Sequence, residues 1–286
     1  MPPPNPGSHL AQALAALSAD EMIAALGPLA DRRLARKLLA PVLRRMSHPL
    51  GEMLARFDAA TRERGISRAA KELLDRKRAT LAVTGRAATS GAALFVANHP
   101  GAYDAIAVLA AIGRDDVTIL ANRRTFLQAL PAMQPTLVYV PEAPGEIGGR
   151  AAGLRAALGA LDRGGALLHF GAGRIEPDLA FDAPDDRVAF HPGTGLLARA
   201  TWRRGGIVVP VTVLGVHSRR AKRLRVVRRL EARGVTTLAP LLSVAVRLFA
   251  DVRIRVVLGP PVEEGSGDDV DLAARIRTAV YAGRDR

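Results

Sequence analysis

A histidine and an aspartate suited to acid–base chemistry lie five positions apart, at His99 and Asp104, in the segment FVANHPGAYDAIAVL. The apolar run 93–97 before the histidine predicts a buried strand, and 104–112 predicts a helix. Turns from strand to helix at the carboxyl end of an open α/β sheet project their residues into a cleft. A carboxylate about one helical turn beyond an imidazole can orient one ring nitrogen and leave the other as a general base. The pair predicts a general base at His99 oriented by Asp104, although the spacing alone also allows an ordinary loop histidine.

The elements that must position this pair follow from the hydrophobic pattern beyond residue 79. The predicted strands are 81–84, 93–97, 117–121, 136–140, 166–170, 207–214 and 252–258. The predicted helices are 104–112, 149–161, 193–202 and 270–282. Strands separated by helices are typical of a mainly parallel sheet with helices on its faces. We therefore predict an α/β fold with a mainly parallel central sheet flanked by helices.

The N-terminal residues 1–78 show helical periodicity and predict a helical region that precedes an α/β domain at 79–286. Within it, Leu34, Leu38, Leu39 and Val42 share one half of a helical wheel, opposite basic residues. Pro41 should interrupt or kink this helix. Such a cationic amphipathic helix can lie in an anionic membrane interface or pack on its own domain, and the pattern leaves both open.

The composition and net charge of the chain indicate which classes of molecule it can bind. The net charge is +14, and basic residues are concentrated at 32–45 and 219–229. This surplus favours an anionic partner such as membrane lipid or a phosphorylated small molecule, with a solvated basic surface as the alternative. Only 4% of residues are aromatic, so stacking platforms for bases are scarce and nucleic acid is not an expected partner. The chain has no cysteine, which excludes disulfides, thiolate metal sites and cysteine nucleophiles.

Targeting signals are not evident in the sequence. The first residues are rich in proline and lack the basic and apolar regions of a signal peptide. Charged residues interrupt every apolar run well before the roughly 20 residues that a bilayer-spanning helix needs. We expect a cytoplasmic protein that is peripheral to the inner face of the membrane.

Four ordered segments around the histidine resemble the blocks of the phospholipid/glycerol acyltransferase superfamily, and the resemblance extends over roughly residues 80–282. The first is Asn98-His99 with Asp104, similar to the H-x4-D motif. The others are 170–177 (FGAGRIEP), 191–211 with its His-Pro-Gly start and Val-Pro-Val strand, and 256–261 (VVLGPP). The family resemblance implies the transfer of a fatty acyl group to a lipid-like hydroxyl.

The resemblance also implies the substrates. The donor is expected to be acyl-CoA or acyl-carrier protein, used as co-substrate without a metal or prosthetic group. The acceptor is expected to be a lysophospholipid or glycerol-phosphate-type molecule, with 1-acylglycerol-3-phosphate as the best guess. An alternative is a peripheral membrane-binding protein of the same fold with divergent or lost transferase activity.

Site residues carried over from the family follow the matching positions. The catalytic residues are His99 and Asp104, with His99 taking the proton of the acceptor hydroxyl. Main-chain amides at Gly171 and Gly173, together with Arg174, would stabilise negative charge at the thioester carbonyl. The full predicted set of substrate-binding residues is Asn98, Gly101, Arg123, Arg124, Gly171, Gly173 and Arg174.

Two departures from the family pattern affect this set. Ala172 stands where the family usually has a glutamate, and 137–140 lacks the arginine thought to hold the acceptor phosphate. Arg123, Arg124 or Arg174 could supply that charge. Glu176 and Asp178 are expected to be surface or capping groups, with the alternative that Glu176 replaces the missing glutamate.

Overall fold

A computed structural model describes residues 6–24, 33–141, 147–232 and 238–285. The helices are α1 (Pro6–Ala24), α2 (Arg33–Arg64), α3 (Ile66–Lys77), α4 (Asp104–Ile112), α5 (Thr125–Gln128), α6 (Ile147–Asp162), α7 (Gly193–Trp202), α8 (Arg219–Arg223), α9 (Arg225–Glu231), α10 (Leu238–Ala245) and α11 (Asp269–Tyr281). The strands are β1 (Thr80–Thr84), β2 (Ala93–Ala97), β3 (Val117–Asn122), β4 (Leu137–Val140), β5 (Ala166–Phe170), β6 (Ile207–Leu214) and β7 (Arg253–Leu258). Short 3₁₀ turns lie at Gln134–Thr136, Arg247–Phe249 and Ala282–Asp285.

The strands form one seven-stranded sheet in the order β1-β7-β6-β2-β5-β3-β4. Strands β2 to β6 run in the same direction, whereas β7 is antiparallel to β6 and β1 is parallel to β7. The predicted α/β fold with a mainly parallel sheet flanked by helices is therefore confirmed. Because β2, β3, β5 and β6 point the same way, the loops that follow them emerge at one edge of the sheet.

The central strand β2 is buried on both faces, which explains its uninterrupted apolar sequence. Ala93, Phe95 and Ala97 pack into a cluster with residues of α2, α3 and α4 on one face of the sheet. Leu94 and Val96 pack on the other face, with residues of α6, α7 and α11. The period-two alternation of side chains thus divides one strand between two hydrophobic layers.

The elements predicted from hydrophobic patterning occur at or close to the predicted bounds. The predicted strands 93–97, 166–170 and 207–214 and the predicted helices 104–112 and 193–202 have these bounds in the structure. The remaining predicted elements differ by one or two residues at their ends. The short helices α5, α8, α9 and α10 were not predicted, because each is too short to show a clear helical period.

The N-terminal region is helical where it is described, in agreement with the predicted helical region. Helix α2 runs through Pro41 and Pro49, so the helix is not interrupted at Pro41. Helix α2 packs extensively against α1, and the two helices approach closely at Gly51, where a Cβ would lie 2.3 Å from the Ala11 carbonyl oxygen. The side chains of the predicted apolar face at 34–42 lie outside the described residues, so that face stays a prediction.

The predicted boundary near residue 78 coincides with the change from helix to strand, since α3 ends at Lys77 and β1 begins at Thr80. Apolar residues of both regions nevertheless belong to one buried cluster, which includes Leu14 and Phe57 of the helices and Phe95 of the sheet. The division into a helical region and an α/β domain stays a prediction. None of the helices in the described ranges has the length and apolar composition needed to cross a bilayer.

A buried arginine joins the loops at the edge of the sheet opposite the histidine. Arg114 is 4% exposed and donates to both carboxylate oxygens of Asp116, at 2.8 and 2.6 Å. It also donates to the carbonyls of Gly91 at 2.8 Å and Gly164 at 3.0 Å. The bond from Arg114 lowers the pKa of Asp116 despite partial burial. Arg114 therefore joins the loops before β2, β3 and β5 through its bonds to the Gly91 and Gly164 carbonyls and to Asp116.

Replacing this arginine should destabilise the fold without touching the histidine. Arg114→Leu leaves the Gly91 and Gly164 carbonyls without their donor, and we expect a loss of about 2–3 kcal/mol of unfolding free energy. Urea unfolding measures this loss. Asp116→Asn is the matched control and should cost less than about 1 kcal/mol, because that carboxylate is largely solvated. Equal unfolding midpoints for Arg114→Leu and the parent protein would contradict this role.

Candidate active site

The histidine and aspartate predicted from the sequence are in direct contact. His99 lies in the turn after β2, and its Nδ1 is 2.7 Å from Oδ2 of Asp104, the first residue of α4. An ionised carboxylate only accepts hydrogen bonds, so Nδ1 carries the proton and donates to it. The lone pair of the neutral imidazole is then on Nε2, and Asp104 determines the tautomer that a general base requires.

The backbone between these two residues takes an unusual path that brings the carboxylate back to the ring. Gly101 and Ala102 both have positive φ, of 84° and 56°. Glycine adopts this conformation freely, whereas alanine does so at a cost of about 1 kcal/mol or more. The turn is stabilised by Asp104, which accepts N–H bonds from Gly101 and Ala105 at 2.6 Å each.

The imidazole of His99 is partly accessible to solvent. Its side chain is 27% exposed, whereas the Asp104 side chain is 4% exposed. The ring packs against Phe170 at the end of β5, with ring centroids 4.3 Å apart. No hydrogen bond within the described part of the chain uses Nε2. The geometry therefore presents an oriented imidazole with its basic nitrogen available to a ligand.

Glu176 is part of this site, and the expectation that it is a surface or capping group is wrong. It is 3% exposed, and its Oε2 accepts the main-chain N–H of His99 at 2.8 Å. In return, the N–H of Glu176 donates to the His99 carbonyl at 2.8 Å. Tyr281, at the end of α11, donates its hydroxyl to the other carboxylate oxygen. The alternative, in which Glu176 takes the place of the missing glutamate, stays a prediction.

The two carboxylates determine the basicity of His99. Burial by itself lowers the pKa of the imidazole, but the charge and hydrogen bond of Asp104 and the charge of Glu176 outweigh burial, so that the pKa of His99 is raised. The positive charge of Arg124 acts in the opposite direction. Burial raises the pKa of Glu176, although the bonds from Tyr281 and His99 oppose this. The site thus combines a strengthened base with a nearby positive charge.

Asp178 is also buried, contrary to expectation, and it holds the chain that follows β6. It has no exposed surface, and its carboxylate accepts N–H bonds from Gly215 at 2.7 Å and His217 at 3.1 Å. The Nε2–H of His217 donates to the carbonyl of Pro100 at 2.9 Å, directly after the candidate base. Burial lowers the pKa of His217. No local pattern in the sequence predicts a role for His217. Its ring holds the turn between His99 and Asp104 from the segment that follows the neighbouring strand β6.

Asn98, predicted to bind substrate, has a different role in the structure. Its side chain is fully buried; Nδ2 donates to the Val213 carbonyl at 2.9 Å and Oδ1 accepts the Val213 N–H at 2.7 Å. These bonds extend the pairing of β2 with β6 by one residue beyond the strand. Its side-chain oxygen and one of its side-chain N–H groups are thus bonded to the main chain of β6, so Asn98 positions the turn after β2.

The loop after β5 contains the two glycines predicted to offer free amides, and this expectation needs correction. The N–H of Gly171 donates to the Ala97 carbonyl and that of Gly173 to the Phe170 carbonyl, at 3.0 Å each. Gly171 is required for space, because a Cβ there would lie 2.2 Å from the Phe190 ring. No main-chain bond within the described residues uses the amides of Ala172 or Arg174, so these are the loop amides available to an anion.

The predicted arginines lie at the same edge of the sheet but differ in their surroundings. Arg123 and Arg124 follow β3 and are exposed. The positive charge of Arg124 acts to lower the pKa of His99. Arg174 directs its guanidinium towards the Arg187 carbonyl, at 3.4 Å. Strand β4 occupies 137–140 without an arginine, as the sequence shows. Arg124 is therefore the predicted substitute that has an electrostatic connection to the base.

Other titratable groups near the site do not form a metal centre. Within the residues described, no three histidine, aspartate or glutamate side chains converge in a way that could hold a metal ion.

His169, at the end of β5, contacts the Thr194 hydroxyl at 3.0 Å, and burial lowers its pKa to about 4. A histidine with that pKa is neutral at pH 7 and too weak to act as the base.

Solved structures that resemble this chain include one acyltransferase, and the resemblance is in fold. No protein-family model matches the sequence, and no curated protein matches it significantly. The crystal structure of the 1-acyl-sn-glycerophosphate (LPA) acyltransferase PlsC from Thermotoga maritima is similar with a TM-score of 0.46 and 14% sequence identity, covering 84% of this chain and 82% of that chain. A similarity of this degree assigns no substrate and no residue role, which are argued from the site itself.

The opposing charges around His99 predict opposite shifts in its pKa. Glu176→Gln removes a negative charge and should lower the pKa of His99, so that the ring loses its proton at lower pH. Arg124→Ala removes a positive charge and should raise it. Titration of the imidazole by NMR measures both shifts, with the exposed His48 ring as an internal control. Identical His99 titrations in the two variants, with circular dichroism unchanged, would show that these charges do not act on the ring.

Proposed function

We propose that this chain is an acyltransferase that moves a fatty acyl group from a thioester to the hydroxyl of a glycerolipid-type acceptor. The observation that carries the proposal is the contact of His99 with Asp104 at 2.7 Å, in a turn at the carboxyl edge of the sheet. The ordered blocks around this turn resemble those of the phospholipid/glycerol acyltransferase superfamily. An oriented base with an accessible second nitrogen is suited to activating a hydroxyl.

In the proposed reaction, His99 first accepts a proton from the acceptor hydroxyl and then gives it to the leaving thiolate. Nε2 of His99 takes the proton of the acceptor hydroxyl as its oxygen attacks the thioester carbonyl carbon. The C–O ester bond forms, the C–S bond breaks, and the imidazolium returns the proton to the departing thiolate. Asp104 remains ionised throughout and stabilises the imidazolium.

Negative charge on the thioester oxygen needs donors that are not already engaged. The main-chain amides of Ala172 and Arg174 meet this condition, whereas those of Gly171 and Gly173 do not. An oxyanion is stabilised best by donors whose positions are set before the reaction. We assign this role to the loop 171–174, with the site glutamate Glu176 holding the loop against the main chain of His99.

The acceptor and donor follow from the family resemblance and the charge of the chain. We propose 1-acylglycerol-3-phosphate as acceptor and acyl-CoA or acyl-carrier protein as donor, because all of these are anionic and the chain carries a net charge of +14. We also propose a cytoplasmic location at the inner face of the membrane, where such an acceptor lies.

The alternative function is that of a peripheral membrane-binding protein without transferase activity. The absence of a glutamate at Ala172 and of an arginine in 137–140 favours it. The intact contact of His99 with Asp104, which leaves Nε2 of the ring accessible, favours the enzyme. One assay separates the two functions, as follows.

Purified protein should acylate a lysolipid from labelled acyl-CoA, and His99→Ala should reduce turnover by about 100- to 10,000-fold. Asp104→Asn should retain a small activity, because the base remains while its orientation is degraded. Thin-layer separation of the labelled products identifies the acceptor from a panel of lysolipids. His48→Ala, on an exposed position of α2, is the control for loss of a histidine as such.

Near-normal turnover by folded His99→Ala would refute the mechanism. A parent protein that transfers to no lysolipid from either donor, while binding anionic vesicles, would instead support the membrane-binding function.

The acceptor phosphate should depend on Arg124 more than on Arg174. A charge-assisted hydrogen bond is worth about 1.5–3 kcal/mol, so Arg124→Ala should raise the KM for 1-acylglycerol-3-phosphate about tenfold or more. The KM for the donor should change much less. Arg155→Ala removes an exposed arginine from α6 and serves as the matched control for charge. If Arg123→Ala, Arg124→Ala and Arg174→Ala all leave the acceptor KM unchanged, none of these arginines holds the phosphate.

A further inference from the structure

The second basic segment found in the sequence forms a concave surface that the proposed reaction does not use. This surface, here called the basic groove, has a volume of about 640 Å³. The residues that line it are Ala180, Phe181, Asp182, Arg219, Lys222, Arg223, Arg228 and Glu231. Neither His99 nor Asp104 is among them. Its volume lies within the roughly 300–1,000 Å³ that is usual for small-molecule sites.

The acidic residues of the basic groove are already paired with its lysine. Nζ of Lys222 lies 2.9 Å from a carboxylate oxygen of Asp182 and 2.9 Å from one of Glu231. Burial by itself lowers the pKa of Lys222, but the hydrogen bonds and charges of these two carboxylates outweigh burial, so the pKa of Lys222 is raised. This three-residue cluster joins α8, α9 and the loop 180–182 into one wall.

The arginines of the basic groove are available to bind an anionic ligand. Arg219, Arg223 and Arg228 are exposed, and none of them makes an ion pair with any residue in the described ranges. The guanidinium group binds two phosphate oxygens at once, which makes convergent arginines a typical polyphosphate site. Phe181 is half-buried in the same wall and offers part of a ring on which a base can stack. The combination fits a nucleotide polyphosphate better than a single phosphate.

A short chain of hydrogen bonds connects the basic groove to the candidate active site. The carbonyl of Asp178 accepts the N–H of Asp182 at 2.9 Å, and the Asp178 carboxylate accepts the N–H of His217. The His217 ring donates to the Pro100 carbonyl beside the candidate base. These bonds place Asp178 and His217 between the basic groove and the turn that carries His99. A ligand whose phosphates occupy the groove therefore needs an extended part beyond them to reach His99.

We infer that the basic groove binds the nucleotide phosphates of coenzyme A when the donor is an acyl-CoA, an inference that rests on the proposed function. The arginines would hold the phosphates, and the pantetheine arm would extend past His217 to bring the thioester to His99. The concave shape favours a compact soluble anion over the flat array of headgroups on a membrane. The second basic segment is then the donor site of the enzyme.

Direct binding of coenzyme A tests this assignment without any turnover. Isothermal titration of the full chain should show that Arg223→Ala/Arg228→Ala weakens coenzyme A binding about 100-fold, roughly tenfold for each lost phosphate contact. The matched control is Arg225→Ala/Arg229→Ala, which removes two exposed arginines of α9 outside the groove. This control and His99→Ala should bind coenzyme A nearly as the parent protein does. Pyrophosphate should bind more weakly than coenzyme A, since it lacks the nucleotide.

Equal coenzyme A affinity in the two double variants would overturn the donor site. Loss of binding to phosphatidylglycerol vesicles in the groove variant, with coenzyme A affinity unchanged, would also overturn it and identify a membrane patch. Transfer from acyl-CoA with an unchanged donor KM in the groove variant would refute the donor site and leave the proposed function standing. Groove-dependent binding of coenzyme A without any acyl transfer would instead refute the proposed function and leave the site standing.

Discussion

The loop that carries His99 depends on buried carboxylates that accept main-chain N–H groups. Asp104 binds the amides of Gly101 and Ala105 while it orients the imidazole, and Glu176 binds the amide of His99. A buried carboxylate is costly to desolvate unless its oxygens accept several hydrogen bonds. These bonds stabilise the observed closure of the loop, in which the amides are directed at the carboxylates and the ring contacts Asp104.

The order of the strands explains how residues distant in sequence supply these bonds. Strand β2 lies between β6 and β5, so that the turn after β2 contacts the chain that follows each neighbour. The loop after β5 provides Glu176, and the segment after β6 provides His217 for the Pro100 carbonyl. Asn98 links β2 to β6 just beyond their last paired residues. The packed sheet thereby holds the imidazole of His99 in position.

Much of the fold could be predicted because its strands and helices follow from the local pattern of apolar and polar residues. The continuous apolar run of β2 indicates a strand buried on both faces, and the period of α4 indicates a helix at the bounds observed. The contact of His99 with Asp104 was also predictable, since it spans a single turn. The continuation of α2 through Pro41 was not, because local propensity favours a break at proline and does not include the contacts that α2 makes with α1.

The sequence by itself determined the order of strands and helices, the candidate base with its orienting carboxylate, and the concentration of arginine at 219–229. The tertiary structure decided that Glu176 and Asp178 are buried, that the amides of Gly171 and Gly173 are occupied, and that the arginine-rich segment lines a groove. The physical reason is the range of the interactions. Periodicity and turn geometry act over a few residues, whereas burial and hydrogen-bond partners depend on which strands are neighbours, and neighbours in this sheet are far apart in the chain.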